Sequence, residues 1–308
     1  MAWDTDLIIV GGGPAGCAAA VMASSLGLRC VLVEPVTLCH KLRHIPSTTN
    51  VLGGFASGGK LAGRITADVA RAARCQVRLG RAAAGVRTFD DHVRVDLDDG
   101  ETLHAPYAVV ATGVRPQATA EVDWIDQDGE LTAKPLWEAD PLPGAQVLVL
   151  GVDRPLGTLL RSHPDVDMRL VVLYSAAEQY KADEVRDDPR VALLPTAHLE
   201  LRHGTDGLLR LRAVDDTGEE RNFAVDNLYL NLGSHPVVPA GDVRADASGY
   251  CPPGIQHPRI LVAGDLRSAR YQRILTAYGS GAEAALTAYY ARNDVPHERP
   301  STVDDTRA

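Results

Sequence analysis

The sequence predicts an α/β protein of two nucleotide-binding domains, and three observations carry the prediction. An apolar strand at residues 6–10 runs into a glycine turn and a small-residue helix at residues 14–26. A second apolar strand, residues 146–150, runs into another glycine, Gly151, as if a domain were starting over. Alternating stretches with the character of β-meanders follow each start, at residues 86–103 and then at 199–214 and 223–230. At 308 residues the chain is long enough for two medium domains with buried cores.

The first unit is strand, helix, strand, with the next strand at residues 29–33. Gly11, Gly13 and Gly16, with Pro14 and Ala15 before the last, fill G-x-G-x-x-G at its turn. Each glycine has its own reason: Gly11 permits the tight turn, Gly13 lets a pyrophosphate approach the backbone, and Gly16 allows close packing of the helix. The helix N-terminus adds N–H groups and the positive end of a dipole. Glu34 lies 18 residues after Gly16, where a carboxylate accepts hydrogen bonds from an adenosine ribose. A bound dinucleotide is the expectation.

Further along, residues 60–74 have helical periodicity, 76–79 and 107–111 read as strands, and the latter ends in Ala111-Thr112-Gly113. Strands are expected at 169–173, 191–194 and 260–263, and a closing helix at 272–291. The tail from 295, rich in Pro, Asp and Thr, reads as flexible.

Composition narrows the function. A net charge of -9, with Arg and Asp interspersed, argues against general binding to nucleic acid or anionic membrane. With 45% hydrophobic residues and no apolar run long enough to cross a bilayer, and with no basic leader and cleavage site, the expectation is a soluble cytoplasmic protein. The five cysteines are odd in number and scattered without C-x-x-C, which suggests neither a disulfide framework nor a zinc site, and no metal is expected.

Three elements in order, GGGPAG followed by Glu34, then VVATG, then ILVAGD followed by YQRILTAYGSGAEAAL, resemble the two-domain flavoproteins of the thioredoxin reductase family over roughly residues 4–292. The resemblance implies two three-layer ββα domains: a discontinuous FAD-binding domain, residues 1–116 and 235–294, with residues 117–234 inserted as an NAD(P)H-type domain. It implies FAD at the first motif, Gly264 and Asp265 near the flavin's ribityl or pyrophosphate, and the start of the last helix facing the isoalloxazine. That start reads Gln272-Arg273-Ile274 where relatives read Arg-Gln-Ala. Asn50 matches an Asn near the flavin edge in relatives, and reads equally as a turn residue. Ala111-Thr112-Gly113 and residues 231–236 match the two crossings between domains. Relatives also pair as homodimers, which implies the same here.

The departures are as informative. The segment that carries a C-x-x-C dithiol in thioredoxin reductases contains no cysteine here, so disulfide exchange by that path lacks both sulfurs. The second turn reads Gly151-Val152-Asp153-Arg154, with Asp153 where a glycine would admit a pyrophosphate, and the next strand ends Leu173-Tyr174-Ser175 without the cations that grip a 2′-phosphate. The expectation is an FAD-dependent oxidase or dehydrogenase acting directly on a small or carrier-protein-tethered substrate, in specialised metabolism, without NADPH. Two alternatives stay open: a nicotinamide-dependent reductase passing electrons to a protein or quinone, and a flavin-bound sensor without turnover. Candidate catalytic groups are Cys39, as a nucleophile, and His40 or His44, as a base; each reads also as part of a solvated basic loop. Lys134, Trp137, His235 and Tyr271 are candidates for the substrate cavity, and Tyr278 for either that cavity or a dimer contact.

Overall fold

The computed structural model describes residues 4–293, apart from 49, 130, 132, 140–142, 145 and 227. The expected flexible tail, 295–308, lies outside them. The chain forms two compact units. One takes the described residues up to His40, Ala62–Gly113 and those from Val237 on; the other takes Lys41–Leu61 and Val114–Pro236.

In the first unit, β1 (Leu7–Val10) leads through the glycine turn into α1 (Pro14–Ser25) and back through β2 (Cys30–Glu34). With β3 (Cys75–Leu79), Tyr107–Val110 and Ile260–Val262 they make a five-stranded parallel sheet, with β1 at its centre. Strands buried on both faces read as continuous apolar runs, and LIIV is buried throughout. One face meets an antiparallel meander, Ala83–Thr88, Val93–Leu97 and Thr102–Ala105, through a core that joins Ile8, Val10, Val31 and Val33 to Val86, Val93, Val95 and Leu97. Against the other lies α1, rich in alanine, beside the last helix, Ile274–Arg292. Both present small residues at the contact, which lets the two backbones come close. The layers are thus helix, parallel sheet and meander.

The second unit repeats the plan. Its parallel sheet runs Lys134–Pro135, Leu228–Leu230, Gln146–Leu150, Arg169–Ser175, Val191–Thr196. A four-stranded sheet, Ile125–Gln127, His198–His203, Leu209–Val214 and Glu220–Val225, covers one face through Leu148, Leu150, Leu199 and Leu211. The helix Pro155–Ser162 covers the other through Val149, Leu156 and Leu160. Val114–Pro116 pairs antiparallel with Ser234–Pro236, so the entering and leaving strands are hydrogen-bonded to each other.

Residues 41–61 cluster with this second unit. Lys41 Nζ donates to the Val114 carbonyl, the Gly58 N–H donates to the Ile45 carbonyl at 2.8 Å, and a Cβ on Gly58 would stand 2.0 Å from the Leu42 carbonyl oxygen. Among the described residues no helix is long and apolar enough to cross a membrane.

Candidate dinucleotide-binding site

The three glycines of the first turn do different work. Gly11 has φ +100°, and a Cβ there would stand 2.4 Å from the Ala111 carbonyl oxygen, so the turn is locked against the end of Tyr107–Val110. A Cβ on Gly16 would stand 1.8 Å from the Gly11 carbonyl oxygen. Gly13 is unlike both: its backbone is extended, φ -70° and ψ -177°, and its Cβ position has nothing within 4 Å. Neither conformation nor packing within the protein demands glycine at 13. The open space is what a pyrophosphate lying against the backbone requires.

The start of α1 suits the same ligand. Gly13 caps it without a side-chain hydrogen bond, its first turn holds no acidic residue, and Pro14 has no N–H to satisfy. The remaining first-turn N–H groups and the helix dipole favour an anion. Glu34 accepts the Gly12 N–H at 2.7 Å through Oε2 and the Val36 N–H at 3.0 Å through Oε1. Each oxygen keeps a further lone pair for a hydroxyl donor.

The two later motifs converge on this turn. Gly264, φ +72°, would place a Cβ 2.9 Å from that of Ala15, and its N–H is held by buried Ser280 Oγ at 2.9 Å. A Cβ on Gly281 would stand 2.0 Å from the Ala15 carbonyl oxygen. Ala15 is therefore wedged between the Gly264–Arg267 turn, which carries half-buried Asp265, and the last helix. Thr112 Oγ1 donates to the Val237 carbonyl and the Gly113 carbonyl accepts the Val237 N–H at 3.0 Å, which ties the outgoing crossing to the returning one. Ser280 and Gly281 were missed by the sequence reading; the run of small residues in YGSGAEAA was their signal.

The start of the last helix is capped locally. Arg273 donates its N–H to Thr276 Oγ1 at 3.2 Å, and half-buried Ile274 is the first helical residue, two positions later than the sequence suggests. Gln272 is committed to the fold: its side-chain amide donates to Tyr250 Oη at 3.3 Å and the Ser268 carbonyl at 3.2 Å. Tyr271 just before it is 76% exposed with φ 56°, and Cys39 has φ 57°. These two are the non-glycine residues with positive φ among those described, a conformation that costs energy and marks sites worth examining.

The other candidates fall as follows. Cys39 is buried, with its sulfur 3.9 Å from that of Cys17, and half-buried His40 follows it. Asn50 is exposed, within the segment that clusters with the second unit. In that unit His44 and Trp137 meet edge to face, ring centroids 4.9 Å apart. Lys134 is exposed on an edge strand opposite Tyr229. His235 is exposed 3.9 Å from the Glu121 carboxylate, which the Arg115 guanidinium holds down to about 2.

The second unit's turn is closed by its own residues. Gly151 has φ +93°, and its Cβ position lies 2.3 Å from the Asn231 carbonyl oxygen. The Asn231 side-chain amide donates to the Asp153 carbonyl at 2.8 Å, and the Asp153 N–H donates back to the Asn231 carbonyl at 3.2 Å. Half-buried Asp153 stands where the first unit has Gly13, and its charge acts on Lys181, which is paired with Glu178. At the end of the next strand, buried Tyr174 donates its hydroxyl to Gln179 Oε1 at 2.6 Å.

An intact dinucleotide turn in a helix, parallel-sheet, meander unit, and a second unit of the same plan, define a two-domain thioredoxin reductase-like fold. The comparisons with known proteins agree. Residues 5–151 match the family model of the pyridine nucleotide-disulphide oxidoreductases. The fold is similar to that of thioredoxin reductase from T. acidophilum, at TM-score 0.70 and 20% identity over 94% of this chain and 99% of that one. Thioredoxin reductase from Lactococcus lactis superposes at TM-score 0.72 and 18% identity, covering 95% and 100%. In sequence, the chain is 24% identical over 320 residues to an NADH dehydrogenase of Ferdinandcohnia aciditolerans, and 25% identical over 307 residues to a component of the alkyl hydroperoxide reductase of Pseudomonas putida. These alignments cover 95% and 92% of this chain but 59% and 57% of the relatives, so the chain spans under two thirds of the length of the curated relatives it matches.

Proposed function

We propose that this protein is an FAD-dependent oxidase or dehydrogenase that takes electrons directly from a small or carrier-protein-tethered substrate, in a biosynthetic role. The observation that carries the reading is the contrast between the two turns: open space at the Cβ position of Gly13, and half-buried Asp153, its carbonyl held by the Asn231 side-chain amide, at the matching place in the second unit. FAD would be held by the Gly11–Gly16 turn, by Glu34 at the ribose and by the Gly264–Asp265 turn, with the start of the last helix as a further contact. Bound there, the flavin supplies two-electron redox chemistry. The chain's own residues then have to exclude water, orient the substrate and hold a proton acceptor, for which His40 and His44 are the candidates. Residues 117–234 contain no cysteine, so a dithiol relay in that segment has no part in this reading.

The first test is cofactor content. The purified protein should be yellow and release one FAD per chain on denaturation; a colourless protein that takes up no FAD sinks the reading. The proposal includes a cytoplasmic homodimer with no nucleic-acid or membrane partner. Exposed Leu275 and Tyr290 on the last helix and Val21 on α1 support the pairing, and analytical ultracentrifugation at twice the chain mass checks it.

A second reading is favoured by the relatives named for NADH dehydrogenase and alkyl hydroperoxide reductase, and by the family match over residues 5–151. In it the second unit still takes NADH or NADPH and electrons pass through flavin to a protein or quinone. Flavin reduction by a nicotinamide cofactor separates the two.

A further inference from the structure

Behind the dinucleotide turn lies a pair of thiols that sequence spacing does not announce. Cys17, in the first turn of α1, and Cys39, five residues past the end of β2, have their sulfurs 3.9 Å apart and are 0% and 1% exposed. We infer that Cys17 and Cys39 form a reversible dithiol–disulfide centre, a redox site distinct from the flavin chemistry, whose oxidant is a small hydroperoxide.

The two sulfurs have different surroundings. Cys17 Sγ donates to the Gly12 carbonyl at 3.2 Å, and its contact with Cys39, together with burial, pushes its thiol up. Cys17 is thus the sulfur that keeps its proton, and Cys39 the one that attacks. Cys39 is held by a 2.8 Å hydrogen bond from its N–H to the same Gly12 carbonyl, in a left-handed conformation that a side-chain-bearing residue adopts at a cost. Burial raises the phenol of Tyr278, and Cys39 and Cys17 raise it further. The near-complete burial of both sulfurs selects an oxidant of the size of hydrogen peroxide over a bulky disulfide.

In the reaction the Cys39 thiolate attacks one peroxide oxygen; the S–O bond forms, the O–O bond breaks, and hydroxide leaves to take up a proton as water. Cys17 sulfur then attacks the Cys39 sulfenic acid; the S–S bond forms, the S–O bond breaks, and a second water leaves. Two thiols and one peroxide give one disulfide and two waters, and an external dithiol reverses the change. Closing the pair takes the sulfurs from 3.9 Å to about 2.05 Å and ties α1 to the loop after β2, on either side of Gly12.

Cys30 and Cys75 make an internal comparison. They stand opposite each other in register on β2 and β3. The contact with Cys30 holds the Cys75 thiol below its ordinary value, and Cys75 is half-buried, so this pair is the competitor that the mapping must separate from a Cys17–Cys39 bond.

The test uses the purified protein with whatever cofactor it carries. It is treated with hydrogen peroxide, alkylated under denaturing conditions, digested with trypsin and mapped by mass spectrometry. The expected product joins the peptide ending at Arg29, which carries Cys17, to peptide 30–41, with fragmentation placing the bond at Cys39 rather than Cys30. Dithiothreitol should undo it, and Cys17→Ser should instead trap a dimedone-reactive sulfenic acid at Cys39. The wild-type map stands even if that variant folds poorly. Recovery of Cys17 and Cys39 as alkylated thiols after other cysteines have oxidised, or a bond confined to Cys30 and Cys75, would overturn the proposal.

Discussion

Gly11 and Gly13 are two residues apart in one turn, yet substitution should affect them in opposite ways. Gly11→Ala puts a methyl 2.4 Å from the Ala111 carbonyl oxygen at φ +100°, and should cost about 2–4 kcal/mol of stability with or without cofactor. Gly13→Ala meets no protein atom within 4 Å in an extended conformation that alanine adopts freely, and should cost under about 1 kcal/mol in the apoprotein. It should nevertheless weaken FAD binding by about tenfold or more, because the methyl occupies the open space against the turn. Thermal melting of the apoproteins and FAD titration by flavin fluorescence check both; equal FAD affinity in wild type and Gly13→Ala would remove the dinucleotide from this turn. The glycine turn was legible in the sequence because each glycine sits at a fixed offset from the next. The nearness of Cys17 to Cys39 was not, since it arises where the chain returns along β2 and no spacing rule encodes that return. Nor did the spacing reveal that Gln272, singled out for the flavin, spends its amide on Tyr250 and Ser268.

At the scale of elements, the last helix is fastened near its middle and at its C-terminal end. Near the middle, Gly281 lies against Ala15, where a Cβ would stand 2.0 Å from the carbonyl oxygen. Gly281→Val should therefore push the helix off α1, lowering stability by about 2–4 kcal/mol and loosening the Gly264 turn that Ser280 holds. At its C-terminal end Arg292 reaches buried Asp6 at 3.1 Å, and Arg29 reaches the same carboxylate at 2.9 Å. Burial works to raise the Asp6 carboxyl, but the Arg29 hydrogen bonds and both cations outweigh it and hold the group below its ordinary value. With the folded value below the unfolded one, this stabilisation is fully present above about pH 4 and is lost as pH falls through the folded value. Asp6→Asn should cost about 1–3 kcal/mol at neutral pH and flatten the acid limb of the stability curve. Denaturant melts of both proteins across that range measure it; parallel acid limbs would show that Asp6 carries no such linkage. The strands around this helix were readable from their apolar runs. Residues 41–61 were not, because the Lys41 and Gly58 hydrogen bonds that shape them lie in no regular period.

For the molecule as a whole, the fold followed from a pattern that occurs twice, strand to glycine to helix, with a meander after each. The same repetition exposed the difference between the units, since Asp153 stands in the second turn where Gly13 stands in the first. The structure adds that Asn231, at the end of the adjacent strand, holds the Asp153 carbonyl of the second turn, a contact between residues 78 apart that no local motif describes. Substrate identity was not legible, because the candidates Tyr271, Trp137 and His235 have no shared offset and no partner fixed by sequence. The central claim is that electrons enter the flavin from a substrate and not from a nicotinamide cofactor. An anaerobic titration with NADH and then NADPH tests it most directly, following the oxidised-flavin absorbance at about 450 nm. The account expects a yellow protein whose absorbance stays unchanged through an excess of either cofactor. Rapid bleaching by either one would contradict it and establish the second unit as a working nicotinamide site.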